Sequence, residues 1–132
     1  NIRGGNMRIH HIGIATDNIE KAKQYVKYFV DDIVECKEVY HPLQQAKLCM
    51  LTTKQGIGIE LVEGEVVSKL VKKRQYLYHV CYEVDDIYET IKELTDSGGL
   101  VISEPKEAVL FNNRKVAFIM SDLGIVEILE KS

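Results

Sequence analysis

The chain has no Cys-x-x-Cys pair, no apolar run long enough to span a bilayer, and no block of like charge. Each absence excludes something. Three cysteines, Cys36, Cys49 and Cys81, are an odd number, and each lies in an apolar or strand-like run. They read as reduced buried thiols, not as a disulfide framework or a zinc ribbon. Without a spanning run, a membrane helix is not expected. The start carries no signal-peptide pattern, so a cytoplasmic location is expected. Residues 1–6, "NIRGGN", read as an expression remnant ahead of Met7 and are set aside. The net charge is −3, with 17 Lys and Arg scattered among 20 Asp and Glu. The one basic run, Lys72-Lys73-Arg74, reads as a solvated loop or helix end, so no nucleic-acid partner is expected.

What is present is a phrase written twice. "HHIGIATDNIEKA" at residues 10–22 matches "YHVCYEVDDIYET" at 78–90, which places His79 over His11 at an offset of 68 (79 − 11). "GIGIELVEG" at 56–64 matches "GIVEILEKS" at 124–132, which places Glu127 over Glu60 at an offset of 67 (127 − 60). An internal repeat of this kind says more about fold than any single propensity.

Each half has the same order of elements. Residues 8–16 alternate and are rich in β-branched side chains, so they read as a strand. Asp17 is expected to cap the following helix, with Glu20 completing a capping box. Ile19, Ala22, Val26, Phe29 and Val30 recur at helical spacing and predict one apolar face. Strands are expected at 34–40, 46–53 and 57–63. The second half repeats the series: a strand at 77–84, a helix begun by Asp85 or Asp86 and ended by Gly98-Gly99, then strands at 100–104, 114–121 and 124–130. The fold class is therefore α+β, a βαβββ module used twice. Module one covers 7–64, a partly helical linker 65–75, and module two 76–132, all within one domain.

Strand alternation then sorts the faces. His11 shares a face with Ile9, Gly13 and Ala15, while Ile12 and Ile14 face a helix. His79 shares a face with Cys81, opposite Val80, Tyr82 and Val84. Glu60 and Glu127 both stand mid-strand between aliphatic neighbours. A carboxylate in such a place must be paired, hydrogen-bonded or metal-bound. A lone strand histidine is more often structural than a ligand. Two histidines and two glutamates at matched offsets favour a divalent ion instead. His10 is the competing register, and both its facing and the repeat favour His11. His41 precedes Pro42 and belongs to a turn. Cys81 reads as packing, and Tyr76 and Tyr78 as strand-edge or core residues. Glu83, Asp85 and Asp86 read as the strand-to-helix turn.

The phrases "HHIGIATDNIEKA", "GIELVEG", "YHVCYEVDDI" and "GIVEILEK" resemble the vicinal oxygen chelate superfamily, which includes glyoxalase I, methylmalonyl-CoA epimerase, extradiol dioxygenases and bleomycin-resistance proteins. The resemblance runs from Met7 to Glu130. It implies two βαβββ modules forming a cupped eight-stranded mixed sheet with helices on the outer face, around one site. Position by position it implies His11, Glu60, His79 and Glu127 as ligands of one divalent transition metal, with nickel, cobalt or zinc expected. It implies proton transfer next to a carbonyl by Glu127, Glu60 or both, with the enolate or enediolate charge stabilised by the ion. The leading expectation is a glyoxalase I-like (lactoylglutathione lyase-like) enzyme. The alternatives are a methylmalonyl-CoA epimerase and a non-catalytic small-molecule binding protein. The substrate is a small thiol adduct or acyl thioester, and a homodimer is expected. Gln44 stands where epimerases of this kind carry an acid. Phe111, Asn112 and Arg114 are expected to border the site, with Arg114 able to hold a carboxylate or phosphate.

Overall fold

The structure, a computed structural model, describes residues 7–42 and 45–132. The chain divides into two compact units, His11–Tyr78 and His79–Ser132, the latter joined by residues 7–10.

In the first unit, β1 (Arg8–Thr16, from His11 on) leads into α1 (Ile19–Phe29), β2 (Ile33–His41), β3 (Ala46–Thr53) and β4 (Gly58–Gly64). The strands run in the order β2-β3-β4-β1. β1 and β4 are parallel, and the other two pairings are antiparallel. Period-2 alternation puts Ile14, Cys49, Leu51, Ile59 and Leu61 on one face, where they meet Ile19, Ala22 and Val26 of α1. On the opposite face Ala15 and Val62 pack with Val67, Leu70 and Val71, which belong to a 3-10 turn (Glu65–Val67) and the short α2 (Ser68–Lys72). Lys72–Arg74 are exposed at the end of that helix, as expected.

The start of α1 differs from the sequence expectation. Asn18, not Asp17, is the cap: its backbone is extended and its side-chain oxygen accepts from the Lys21 N–H at 3.0 Å. Glu20 is not a capping-box acceptor but pairs with Lys23 at 2.9 Å. The reason lies across the sheet. The Glu63 carboxylate of β4 accepts the first helical N–H, that of Ile19, at 2.9 Å, so the helix start is satisfied from outside its own sequence. Phe29 is also not on the buried face: it is 84% exposed, because the helix ends there and Val30 is extended.

In the second unit, β5 (Leu77–Val84, from His79 on), α3 (Ile87–Asp96), β6 (Leu100–Ala108), β7 (Arg114–Ser121) and β8 (Gly124–Glu130) repeat the plan, in the order β5-β8-β7-β6. β5 and β8 are parallel. Val84, Ala117, Ile119, Val126 and Ile128 form the core with Ile87, Ile91 and Leu94 of α3. Asp86 caps α3 by accepting from the Tyr88 and Glu89 N–H groups at 3.0 and 3.1 Å. The far end is a Schellman turn: Gly98 has φ 101°, its N–H reaches the Thr95 carbonyl, and the Gly99 N–H reaches Leu94 at 2.8 Å. The Glu130 carboxylate accepts the Ile87 N–H at 3.0 Å, the counterpart of Glu63 in the first unit.

β6 runs to Ala108, four residues past the expected end. Pro105 has no N–H for a ladder, but β6 is the outermost strand of its run, and its register shifts between Ser103 and Lys106.

Candidate metal and proton-transfer site

Each module builds a histidine–glutamate pair in the same way. In the first, the parallel pairing of β1 and β4 sets Glu60 beside Gly13, with His11 two residues earlier on the same face. The His11 Nε2 lies 3.5 Å from the Glu60 Oε1. In the second, β5 and β8 set Glu127 beside Cys81, with His79 two residues earlier. The His79 Nε2 lies 3.1 Å from the Glu127 Oε1. All four side chains are buried: His11 is 0% exposed, Glu60 5%, His79 3% and Glu127 4%.

The backing of each pair is duplicated too. Phe118 stands directly across from Glu127 on β7 and meets the His79 ring edge-on, with centroids 5.4 Å apart and planes at 82°. Met50 stands across from Glu60 on β3 and is buried. An edge-on aromatic contact restrains the imidazole plane and leaves its Nε2 aimed at the carboxylate.

The donors fit a divalent transition metal by their chemistry. Buried imidazole nitrogen and carboxylate oxygen on the same strand face suit nickel, cobalt and zinc. Each pair alone offers one nitrogen and one carboxylate, fewer than the three or four protein ligands such ions take.

The substrate-contact expectations fare differently. Gln44 lies outside the described residues. Phe111 is buried and meets the His10 ring edge-on at 5.4 Å. Asn112 sits in the turn before β7 with φ 55°. Arg114 is engaged within its own unit: its Nη1 donates to Glu83 at 2.8 Å and to the Lys131 carbonyl at 3.1 Å, and its Nε to the Phe111 carbonyl at 3.4 Å.

Glu83 is the residue the sequence reading misplaced. It does not shape the strand-to-helix turn. It shares the inward face of β5 with His79 and Cys81, is buried, and accepts from both Arg114 and the Arg8 Nε (3.0 Å). Burial pushes its carboxyl pKa up, but the Arg114 hydrogen bond and the charge and hydrogen bond of Arg8 outweigh that and hold it below the ordinary value. The available signal was period 2: Glu83 follows Cys81 by two, so it had to face inward. Asp85 lies outside this cluster and pairs with Lys131 at 3.0 Å.

Cys49 and Cys81 are buried as expected, but Cys36 is exposed, because β2 is the outer strand of its run. No helix among the described residues is long and apolar enough to cross a membrane.

Comparison with known proteins agrees with this architecture. The mitochondrial methylmalonyl-CoA epimerase of Dictyostelium discoideum is 24% identical over 116 residues, which is 85% of this chain and 69% of that protein. A hypothetical protein from Bacillus halodurans C-125 superposes with a TM-score of 0.78 at 26% identity, covering 96% of each chain. The methylmalonyl-CoA epimerase of Mycobacterium tuberculosis superposes with a TM-score of 0.79 at 19% identity, over 94% of this chain and 87% of that one. The family pattern matches residues 10–118, most of the chain, and the chain belongs to the Glyoxalase/Bleomycin resistance protein/Dioxygenase superfamily.

Proposed function

We propose that this protein is a divalent-metal-dependent enzyme that moves a proton at a carbon next to a carbonyl, and that it acts on an acyl-CoA thioester as an epimerase. The observation that carries the reaction class is the duplicated, buried His–Glu pair, His11 with Glu60 and His79 with Glu127. The family resemblance assigns all four side chains to one ion, and either pair alone offers fewer donors than such an ion takes. A bound divalent ion supplies Lewis-acid stabilisation for the negative charge that develops on the carbonyl oxygen. The chain's own contribution is the proton transfer. A Glu127 or Glu60 carboxylate removes the proton, and the same or the other carboxylate returns it. Burial of both keeps bulk water from competing for that proton. The choice of an acyl-CoA thioester is supported by the epimerases among the similar proteins.

A glyoxalase I-like reaction on a thiol adduct is the second reading, and one observation favours it. Gln44 stands where an epimerase is expected to carry an acid, and an amide is no base. The test is one assay with two substrates. Metal-stripped protein is reloaded separately with Ni²⁺, Co²⁺ and Zn²⁺ and given methylmalonyl-CoA in deuterated water, or methylglyoxal with glutathione. Metal-dependent entry of deuterium at the α-carbon, lost in Glu127→Gln or Glu60→Gln with the fold intact, is the expected result. Thioester formation from methylglyoxal in place of that exchange selects the second reading. Full turnover in both Gln variants contradicts the assignment of the base.

A further inference from the structure

Cys36 and Cys49 are thirteen residues apart in sequence and adjacent in space: their Sγ atoms are 3.4 Å apart. They sit on neighbouring strands of the first unit, on the face that α1 covers. The register of β2 and β3 sets Cys36 opposite Leu51 and Cys49 opposite Glu38, so the two thiols are diagonal neighbours. Their surroundings differ. Cys36 is exposed on the outer strand, whereas Cys49 is fully buried among Ile19, Leu51 and Leu61. Charged groups reach the pair from both packed elements: Glu38 on β2 and Lys23 on α1, which lie 3.3 Å from each other.

We propose that Cys36 and Cys49 form a reversible intrachain disulfide site, in which Cys36 reacts first with a peroxide and Cys49 resolves it. In the first step the Cys36 thiolate attacks one peroxide oxygen. The new S–O bond forms as the O–O bond breaks, Cys36 becomes a sulfenic acid, and the departing hydroxide takes up the proton that the Cys36 thiol released and leaves as water. In the second step the Cys49 sulfur attacks the Cys36 sulfur, the S–O bond breaks, and a second water leaves with the Cys49 proton. Two thiols and one peroxide thus give one disulfide and two waters.

The order of events follows from accessibility. Only Cys36 meets solvent. Burial, then the hydrogen bond with Cys36, pushes the Cys49 thiol up to about 12, so it stays protonated near neutral pH and waits for an electrophilic sulfur beside it. Closing the gap to a bonded separation of about 2.0 Å requires the strands to give slightly. The outer strand can do so, because β2 pairs with one neighbour in its run and its register shifts between Ile33 and Glu35, just before Cys36.

The test treats the full chain with hydrogen peroxide, alkylates the remaining thiols after unfolding, and maps peptides by mass. The expected product is a Cys36–Cys49 linked peptide lighter by two hydrogens, with the free thiols falling from three to one and returning to three with dithiothreitol. In Cys49→Ser, dimedone should trap a sulfenic acid at Cys36 that the wild type does not accumulate. Three results overturn the proposal: no thiol loss in excess peroxide, over-oxidation of Cys36 with Cys49 still alkylated, or a cross-link between two chains through Cys36. The wild-type mapping decides the matter even if the serine variant fails to fold.

Discussion

A single buried carboxylate, Glu83, shows how this protein handles charge away from its two His–Glu pairs. Two guanidinium groups hold it, one partly exposed on Arg8 and one more enclosed on Arg114, which also ties down the Phe111 and Lys131 carbonyls. The sign of its pH effect follows from its lowered pKa. Its contribution to stability is complete above the ordinary carboxylate value of 4.5 and is lost as pH falls through the lower folded value. Replacing Glu83 with Gln should cost about 2 kcal/mol near neutral pH, since it leaves Arg114 without its charge partner. The acid limb of the variant's stability curve should also be shallower. Urea titrations at pH 7 and pH 3.5 check both points, and an unchanged acid limb would show that Glu83 is not the group concerned. The residue scale is where the sequence was least legible. His11, Glu60, His79 and Glu127 could be read because a repeat ranked them above other polar residues. Glu83 has no charged counterpart in the first half, where Ala15 takes the matching place, so the repeat was silent about it.

At the scale of elements, both main helices start on a glutamate borrowed from a strand. Glu63 serves the Ile19 N–H and Glu130 the Ile87 N–H, in addition to the local caps Asn18 and Asp86. Glutamate three residues after the site glutamate, Glu63 after Glu60 and Glu130 after Glu127, falls on the opposite strand face. One strand therefore serves the inward pair with one glutamate and the helix with the next. Alanine at Glu130 should cost about 1 kcal/mol, and alanine at Asp86 a similar amount. The double variant should fall short of the sum, because both act on the same helix start. Full additivity in denaturant titrations would mean that the two caps are independent. These strand-borne caps were written in "GIELVEG" and "GIVEILEK", but only tertiary contact shows which N–H they reach. That is why Asp17 and Glu20 looked like sufficient caps for α1. The strands themselves were legible from alternation. The exception was β6, expected to end at residue 104, just before Pro105, whereas an outer position allows the strand to continue to Ala108.

At the scale of the whole molecule, the repeat is the organising fact. A βαβββ module written twice gives two strand pairs of equivalent register, and each presents one histidine and one glutamate from parallel neighbours. This much was readable from offsets of 68 and 67, because a duplicated module keeps its internal spacing. The substrate was not readable, since the same scaffold and donors serve several reactions. If the four donors hold an ion in the native state only, the ion must also stabilise the fold. At a hundredfold excess over its Kd it should add about 2.7 kcal/mol. A chelator should accordingly lower the melting temperature of the loaded protein, and loss of activity with no change in melting would speak against an ion held by the native state alone.

The most direct test of that central claim is a calorimetric titration of the metal-free protein with Ni²⁺, beside His11→Ala and His79→Ala. The account predicts one ion per chain in the wild type, whether the pairs meet within one chain or between two copies. It also predicts that either variant, though each changes a different module, weakens that single site to a similar degree. Two independent sites in the wild type, with each variant abolishing one and sparing the other, would contradict it.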